Sequence, residues 1–158
     1  MSTATIEVEV PSTHSAEKVF KAFCDFETIA PKVDPAVFKS IKTIEGNGDV
    51  GTIRDFTFGD GVPFSSGKYK VDVYDPSNFT YGYTFFEGDY LQDIAESITH
   101  HVKIVPAADG GSVYKQTITY NCKGNAKPSE EALNFEKSGF EKTFRAMEAY
   151  AAAHPELY

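Results

Sequence analysis

Glu45-Gly46-Asn47-Gly48-Asp49-Val50-Gly51 is the stretch of sequence that decides the fold of this chain. It lies between two apolar-rich stretches, residues 37–44 and 52–58. Three glycines this close together allow positive φ angles, so the flanking strands can reverse direction over a short, fixed loop. A phosphate-binding loop would need a GK[ST] ending and a following helix, and this segment has neither. The sequence therefore favours a structural hairpin, with its turn at Gly46, Asn47, Gly48 and Gly51.

Downstream of this hairpin, apolar stretches alternate with turn residues, which predicts a series of antiparallel strands. In the clearest strand, aromatic side chains occupy every second position and share one face. These are Phe79, Tyr81, Tyr83 and Phe85. The preceding strand adds Tyr69, Val71 and Val73 to this face, and the following strand adds Ile94, Ile98, His100, Val102 and Ile104. We expect the face to be buried.

The remaining elements are a first strand and three helices. Residues 4–10 alternate as an edge-like strand that ends at Pro11, and Ser15 caps a short helix. A second short helix is expected over residues 27–33. From Pro128 onward the apolar period is helical, which predicts one long amphipathic helix. Its apolar side consists of Ala132, Phe135, Gly139, Phe140, Thr143, Phe144, Met147 and Ala151. The order of elements predicts an α+β fold, a curved sheet folded around a helix.

Length and charge narrow the functional classes. A chain of 158 residues fits one domain, 1–158, and a net charge of −8 repels nucleic-acid phosphates and anionic membranes. No signal peptide or transmembrane segment is predicted, so we expect no membrane insertion. Cys24 and Cys122 form no CxxC motif, and His100 and His101 point to opposite faces of a strand. We therefore expect a reduced, cytoplasmic protein without a metal site.

The sequence leaves open whether the space between sheet and helix is filled. Gly139 lies in the middle of the helix's apolar face, where glycine costs about 1 kcal/mol relative to alanine. Tyr69, Tyr81 and Tyr83 point inward and carry hydroxyl groups that need partners when buried. A wet, aromatic cavity accounts for both observations. The alternative is that Gly139 allows a strand to approach closely and that the tyrosines reach the rim.

Several separated motifs resemble one plant protein family. Besides the glycine-rich stretch, they are residues 86–89, 109–111, 123–124 and the ending at 149–155, and the similarity covers essentially the whole chain. The chain resembles the birch pollen major allergen family, the intracellular class-ten pathogenesis-related proteins of plants. This resemblance implies the helix-grip fold, in which a seven-stranded antiparallel sheet grips a long C-terminal helix. Two short helices follow the first strand, and the fold encloses a large internal cavity.

The resemblance also implies a function in defence or stress, and some members of the family are allergens. The expected partners are small amphipathic metabolites or hormones such as flavonoids, cytokinins and sterols, bound by a monomer without a cofactor. The family's cavity positions correspond here to Phe56, Phe58, Tyr69, Tyr81, Tyr83, Phe85, Ile98, His100, Phe135, Gly139 and Phe140. Because periodicity places most of these inside independently, we expect a real pocket and a carrier or buffer of ligands.

Two enzymatic alternatives remain. Related enzymes that condense an amine with an aldehyde use an inward lysine, but the positions that match their catalytic groups hold Tyr69, Tyr81 and His100. A tyrosine with an ordinary pKa near 10 is a poor base at neutral pH. A different reaction in the same cavity stays open, with His100 as a ligand contact, a weak base or simply a buried, hydrogen-bonded residue. The resemblance also implies ribonuclease activity at Glu96, Glu148 and Tyr150, although the chain lacks a basic track for RNA.

Overall fold

A seven-stranded antiparallel sheet and three α-helices are the main elements of residues 2–158, the part of the chain that the computed structural model describes. The strands are β1 (Ser2–Ser12), β2 (Phe38–Glu45), β3 (Ile53–Phe58), β4 (Ser66–Asp75), β5 (Thr80–Glu87), β6 (Ala95–Pro106) and β7 (Ser112–Cys122). The helices are α1 (Ala16–Cys24), α2 (Phe26–Val33) and α3 (Glu130–Ala153). In the sheet the strands follow the order β1-β7-β6-β5-β4-β3-β2. The predicted fold class and order of elements are confirmed.

The first strand is longer than predicted, because it does not end at Pro11. β1 pairs with β7 along its whole length, and Pro11 lies opposite Val113 in this ladder. β1 is at the edge of the sheet, with a neighbour on one side only. A proline is tolerated in an edge strand because the hydrogen bond that it cannot donate is not required on the open side.

The two short helices follow β1, as predicted. The Ser15 side chain accepts a hydrogen bond from the backbone N–H of Lys18 at 3.2 Å and so caps α1. The apolar face of α1 is buried at Val19, Phe20 and Phe23. α2 begins one residue before the predicted start, and Pro31 lies inside it.

A bulge changes one of the predicted inward positions. β4 has a bulge between Val71 and Val73, so that Val73 pairs with Gly82 and Tyr74 pairs with Tyr81. Because a bulge adds one residue, it reverses the alternation that follows it. Val73 therefore points to the outer face, and Tyr74 takes the inner one. Phe79 and Ile94 both precede their strands and are partly buried, and both pack against the hydrophobic core.

Helix α3 covers the sheet unevenly along its length. The Ser129 side chain caps it by accepting a hydrogen bond from the backbone N–H of Ala132 at 3.1 Å. The buried side chains all lie in its C-terminal half, at Thr143, Phe144, Met147 and Ala151. Its apolar residues nearer the N-terminus are less buried, and Phe135 is 52% exposed. Among residues 2–158 there is no helix with both the length and the apolar character that a bilayer crossing requires.

Candidate functional site

A cavity of about 570 Å³ lies between the inner face of the sheet and the N-terminal half of α3, where the helix buries little of its surface. Strands β3, β4 and β5 supply one wall through alternate side chains, and α3 supplies the opposite wall. The predicted cavity residues that line it are Phe56, Phe58, Tyr69, Tyr81, Tyr83, Phe85, Phe135, Gly139 and Phe140. At Gly139, an added Cβ atom would meet no atom within 4 Å, which shows that no strand packs against this glycine.

Ile98 and His100, also predicted as cavity residues, lie behind the wall. Both side chains are fully buried on β6. The His100 ring stacks on Tyr83 with ring centroids 4.8 Å apart, and it also packs on Phe85 and Phe140. These larger rings line the cavity and cover the imidazole, so that His100 does not face the cavity itself.

Hydrogen bonds hold His100 in a neutral form. Its Nδ1 atom is 2.8 Å from the side-chain nitrogen of Gln116, and its Nε2 atom is 3.1 Å from the Tyr90 hydroxyl. Since the Gln116 nitrogen donates to Nδ1, the ring proton is on Nε2 and is donated to Tyr90. Burial lowers the pKa of His100 to about 3. The imidazole is therefore neutral at physiological pH and cannot take up a proton there.

Glu136 is a cavity residue that the sequence analysis missed. It projects from α3 into the wall, and its Oε1 atom accepts a hydrogen bond from the Tyr90 hydroxyl. Burial raises the pKa of Glu136 to about 7, although the bond from Tyr90 acts in the opposite direction. The sequence feature that could have identified Glu136 is its spacing. Gly139 and Phe140 follow three and four residues later and therefore lie on the same side of the helix.

Arg54 is a second charged residue of the inner wall that the sequence analysis missed. Its Nη1 atom donates to the hydroxyls of Tyr69 at 2.9 Å and Tyr81 at 2.8 Å, and its Nε atom lies 3.5 Å from a Glu27 carboxylate oxygen. The guanidinium is thus held by two phenols and a carboxylate. Alternation on β3 could have found Arg54, because it shares the parity of Phe56.

Side chains from outside the central strands complete the cavity wall. Aromatic rings at Phe23, Phe26, Phe38, Phe64 and Tyr90 take part. Cys24 also lines the cavity, but burial raises its pKa to about 11, so the thiol stays protonated and is a weak nucleophile. Within the described part of the chain, no three histidine, cysteine or carboxylate side chains gather as a metal ion would require.

The mouth of the cavity is marked by wall residues that also reach solvent. These are Glu131, Phe135, Ser138 and Lys142 on α3, Ser129 at its N-cap, and Gly61 and Pro63 in the β3–β4 loop. Phe135 is the only aromatic ring among these mouth residues. A ligand that enters between α3 and this loop would meet Phe135 before the inner rings.

The glycine-rich hairpin has a structural role and does not line the cavity. Gly46, Gly48 and Gly51 all have φ angles between 90° and 105°, which other residues rarely adopt. A side chain at Gly46 would also collide with Thr52, whose hydroxyl accepts a hydrogen bond from the Gly48 backbone at 2.8 Å. The prediction of a turn between β2 and β3 is confirmed.

The three residues implied for ribonuclease activity do not form one site. Glu96 lies at the beginning of β6, beside the Cys122 end of β7. Glu148 accepts a hydrogen bond from Ser12, at the opposite end of β1 and β7. Ten residues of strand separate these ends, which is roughly 33 Å. Tyr150 stacks on His154, with ring centroids 4.1 Å apart.

Comparisons with known proteins agree with this fold. Residues 1–154 match the model of the Pathogenesis-related protein Bet v 1 family. A root allergen protein from Taraxacum officinale is 54% identical over 154 residues, which are 97% of this chain and 98% of that protein. Ribonuclease 2 from Panax ginseng is 45% identical over 149 residues, covering 94% of this chain and 97% of that protein.

A similar solved structure is that of the protein Ara h 8.0201. The two structures superpose with a TM-score of 0.81 and 32% sequence identity, over 96% of this chain and 99% of that one. The match to the family model spans nearly every residue, and the observed helices and strands have the order that the sequence resemblance implied. This chain therefore belongs to the Pathogenesis-related protein Bet v 1 family.

Proposed function

We propose that this protein binds small amphipathic hydrophobic ligands in its aromatic cavity and carries or buffers them in the cytoplasm of plant cells. The ligands would be metabolites or hormones with a few fused or linked rings, such as flavonoids, cytokinins or sterols. A role in defence or stress follows from the family. The proposal rests mainly on one observation, the unfilled volume between β5 and α3.

The size and chemistry of the cavity support this function. A volume of about 570 Å³ lies within the range of roughly 300–1,000 Å³ that is common for small-molecule sites. Thirteen aromatic residues contribute to the wall and offer stacking and apolar burial. The less exposed polar side chains of the wall are Arg54, Tyr69, Tyr81, Tyr83, Tyr90, Gln92, Glu136 and Thr143, and several of them are already hydrogen-bonded within the protein. Such a wall favours a ligand with an apolar body and a small number of polar substituents.

Burial alone gives a useful affinity in such a cavity. A ligand of two or three rings that loses most of its apolar surface to the wall can reach a binding free energy on the order of −8 kcal/mol, which is a micromolar Kd. No charged contact is needed for this value. A carrier or buffer requires reversible binding of this kind and no chemical step.

A fluorescence titration with a neutral, environment-sensitive dye tests the proposal. We expect saturable, one-to-one binding that is weakened by Phe135→Ala at the mouth and by Gly139→Leu in the wall. Phe86→Ala is the matched control, because Phe86 is 42% exposed and does not line the cavity. Equal affinity in all four proteins would place the dye outside the cavity and contradict the proposal.

Catalysis in the same cavity is the second candidate function. The observation that favours it is the carboxyl group of Glu136, whose pKa of about 7 suits a group that donates and accepts protons near neutral pH. Mass spectrometry after incubation with plant metabolite extract separates the two functions. A carrier retains ligand in proportion to its own amount, whereas an enzyme releases new product in excess of protein.

Ribonuclease activity remains an alternative because of the relative from Panax ginseng. The separation of Glu96 from Glu148 gives it no support in this chain, and the net charge of −8 opposes RNA binding. RNA loss that depends on salt and disappears in Glu148→Gln would favour this alternative over the carrier.

A further inference from the structure

Glu136 has a free carboxylate oxygen at the cavity wall. Its Oε1 atom is held by the Tyr90 hydroxyl, while among residues 2–158 no donor makes a hydrogen bond to Oε2. Within the same part of the chain, Glu136 forms no ion pair with a lysine, an arginine or a histidine. A carboxylate in an aromatic wall without a cation is costly, and a cationic partner would offset that cost.

The other inner charge of the cavity already has its partners. Arg54 is paired with Glu27 and donates to Thr43, Tyr69 and Tyr81. A ligand carboxylate at Arg54 would have to compete with these groups. At Glu136, by contrast, a ligand donor meets an oxygen with no competitor in the protein. The two charged positions therefore differ in what they can recognise.

A chain of hydrogen bonds behind the wall keeps Glu136 an acceptor. Tyr114 donates to Gln116, Gln116 donates to His100, His100 donates to Tyr90, and Tyr90 donates to Glu136. Every donor in this chain points toward the carboxylate. Aligned donors of this kind polarise one another and favour negative charge at the end of the chain. Oε2, which has no donor within the described residues, is accessible, and Glu136 lines the cavity. Oε2 is therefore the acceptor that a ligand in the cavity can reach.

Aromatic rings lie beside Glu136 in the cavity wall. Tyr90 packs against Phe85 and Phe64 with ring centroids 4.6 and 4.9 Å apart, and all three line the cavity. The face of an aromatic ring attracts a cation. A carboxylate beside several rings is a suitable environment for an ammonium group attached to an aromatic body.

We propose that Glu136 binds the ammonium group of amphipathic aromatic amines, and that the cavity therefore prefers such amines to neutral ligands of the same shape. This inference rests on the proposed ligand-binding function and names the ligand class for that site. The amine nitrogen donates to Oε2, and the aromatic body lies on the rings of the wall. No covalent step is involved.

The pH dependence of amine binding follows from Glu136 alone. The titratable groups near it are Tyr83 on β5, Tyr90 in the β5–β6 connection, which donates to it, and His100 on β6, which is linked to it through Tyr90. Burial raises the pKa of both tyrosines well above 10 and lowers that of His100 to about 3, so none of them changes charge between pH 6 and pH 8. The carboxyl group of Glu136 ionises in this range. Amine affinity should therefore rise from pH 6 to pH 8.

Two probes of equal shape test the inference by isothermal titration calorimetry. Biphenylmethylamine is mostly protonated between pH 6 and pH 8, and biphenylmethanol is neutral throughout. We expect the amine to bind about tenfold more tightly than the alcohol at pH 8, which corresponds to about 1.4 kcal/mol. Glu136→Gln keeps an acceptor for Tyr90 and should remove this preference and its pH dependence. Glu141→Gln is the matched control, since it removes an exposed carboxylate from the same helix at a position that does not line the cavity.

The outcomes separate the inference from the proposed function. If the alcohol binds in the cavity and the amine has no advantage, or if Glu141→Gln and Glu136→Gln lower amine affinity equally, the role of Glu136 is wrong and the carrier function stands. If neither probe binds, and the neutral dye does not bind either, the proposed function itself fails. Loss of alcohol binding in Glu136→Gln would indicate a damaged wall and would also overturn the inference.

Discussion

Substitutions at Gly139 should affect the stability of the protein and its ligand affinity in opposite directions. The glycine lies inside α3, and an added Cβ atom would meet nothing within 4 Å. Replacing it by alanine removes the conformational cost of a helical glycine, so the unfolding free energy should rise by about 0.5–1 kcal/mol. For a domain of this size, that corresponds to about 1–4 °C in Tm. Gly139→Leu should gain a similar amount, because leucine is also a good helix former and its side chain has room in the cavity.

Urea denaturation and dye titration of the same three proteins test this reasoning. Wild type, Gly139→Ala and Gly139→Leu should show equal or increasing stability, whereas dye affinity should fall in the leucine variant because the isobutyl group occupies the binding volume. Forcing a large side chain into a filled core costs about 1–3 kcal/mol. A loss of that size in Gly139→Leu would refute the idea that the space beside Gly139 is open.

Three further predictions concern the packing and charge of α3. Phe144→Ala should lower the free energy of unfolding, measured by urea denaturation, by about 3–4 kcal/mol, because Phe144 is only 7% exposed. Phe135→Ala should lower it by less than about 1 kcal/mol, because Phe135 is 52% exposed. Similar losses in the two variants would show that α3 is packed evenly and would contradict this prediction. Thr143→Val removes the 2.8 Å hydrogen bond to the buried Asp34 carboxylate and should lower the free energy of unfolding by about 1–3 kcal/mol in the same measurement. An unchanged free energy of unfolding would contradict this prediction. The pKa of Glu136 is raised from 4.5 to about 7, so the native state binds that proton more tightly and loses stability as pH rises through this window. The stability gain from Glu136→Gln should therefore be larger at pH 8 than at pH 5, by up to about 3 kcal/mol, and equal gains at both pH values would contradict the shift.

The aromatic alternation of the central strands was enough to predict much of the sheet and the cavity wall. Tyr81, Tyr83 and Phe85 line the cavity because side chains alternate along an unbroken strand. The same rule was wrong at Val73, since the bulge in β4 adds a residue that no turn signal in the sequence marks. Alternation also could not separate His100 from Tyr83, because both point inward and only the size of the neighbouring rings decides which one meets the cavity.

The charged residues of the wall were missed for a different reason. Sequence patterns assign Arg54 and Glu136 to the surface because charged side chains are rarely buried. In the structure, Arg54 is stabilised inside by Glu27 and two tyrosine hydroxyls, and Glu136 by Tyr90. These partners come from distant parts of the chain, so only the folded structure brings them together.

A crystal structure of the protein with biphenylmethanol tests the central claim most directly, namely that α3 and the inner face of the sheet enclose a volume that ligands occupy. The account predicts ligand density between Tyr83 and Gly139, with the rings of the wall in contact with the biphenyl. Density only on the outer surface, or side chains that fill the space between β5 and α3, would contradict it.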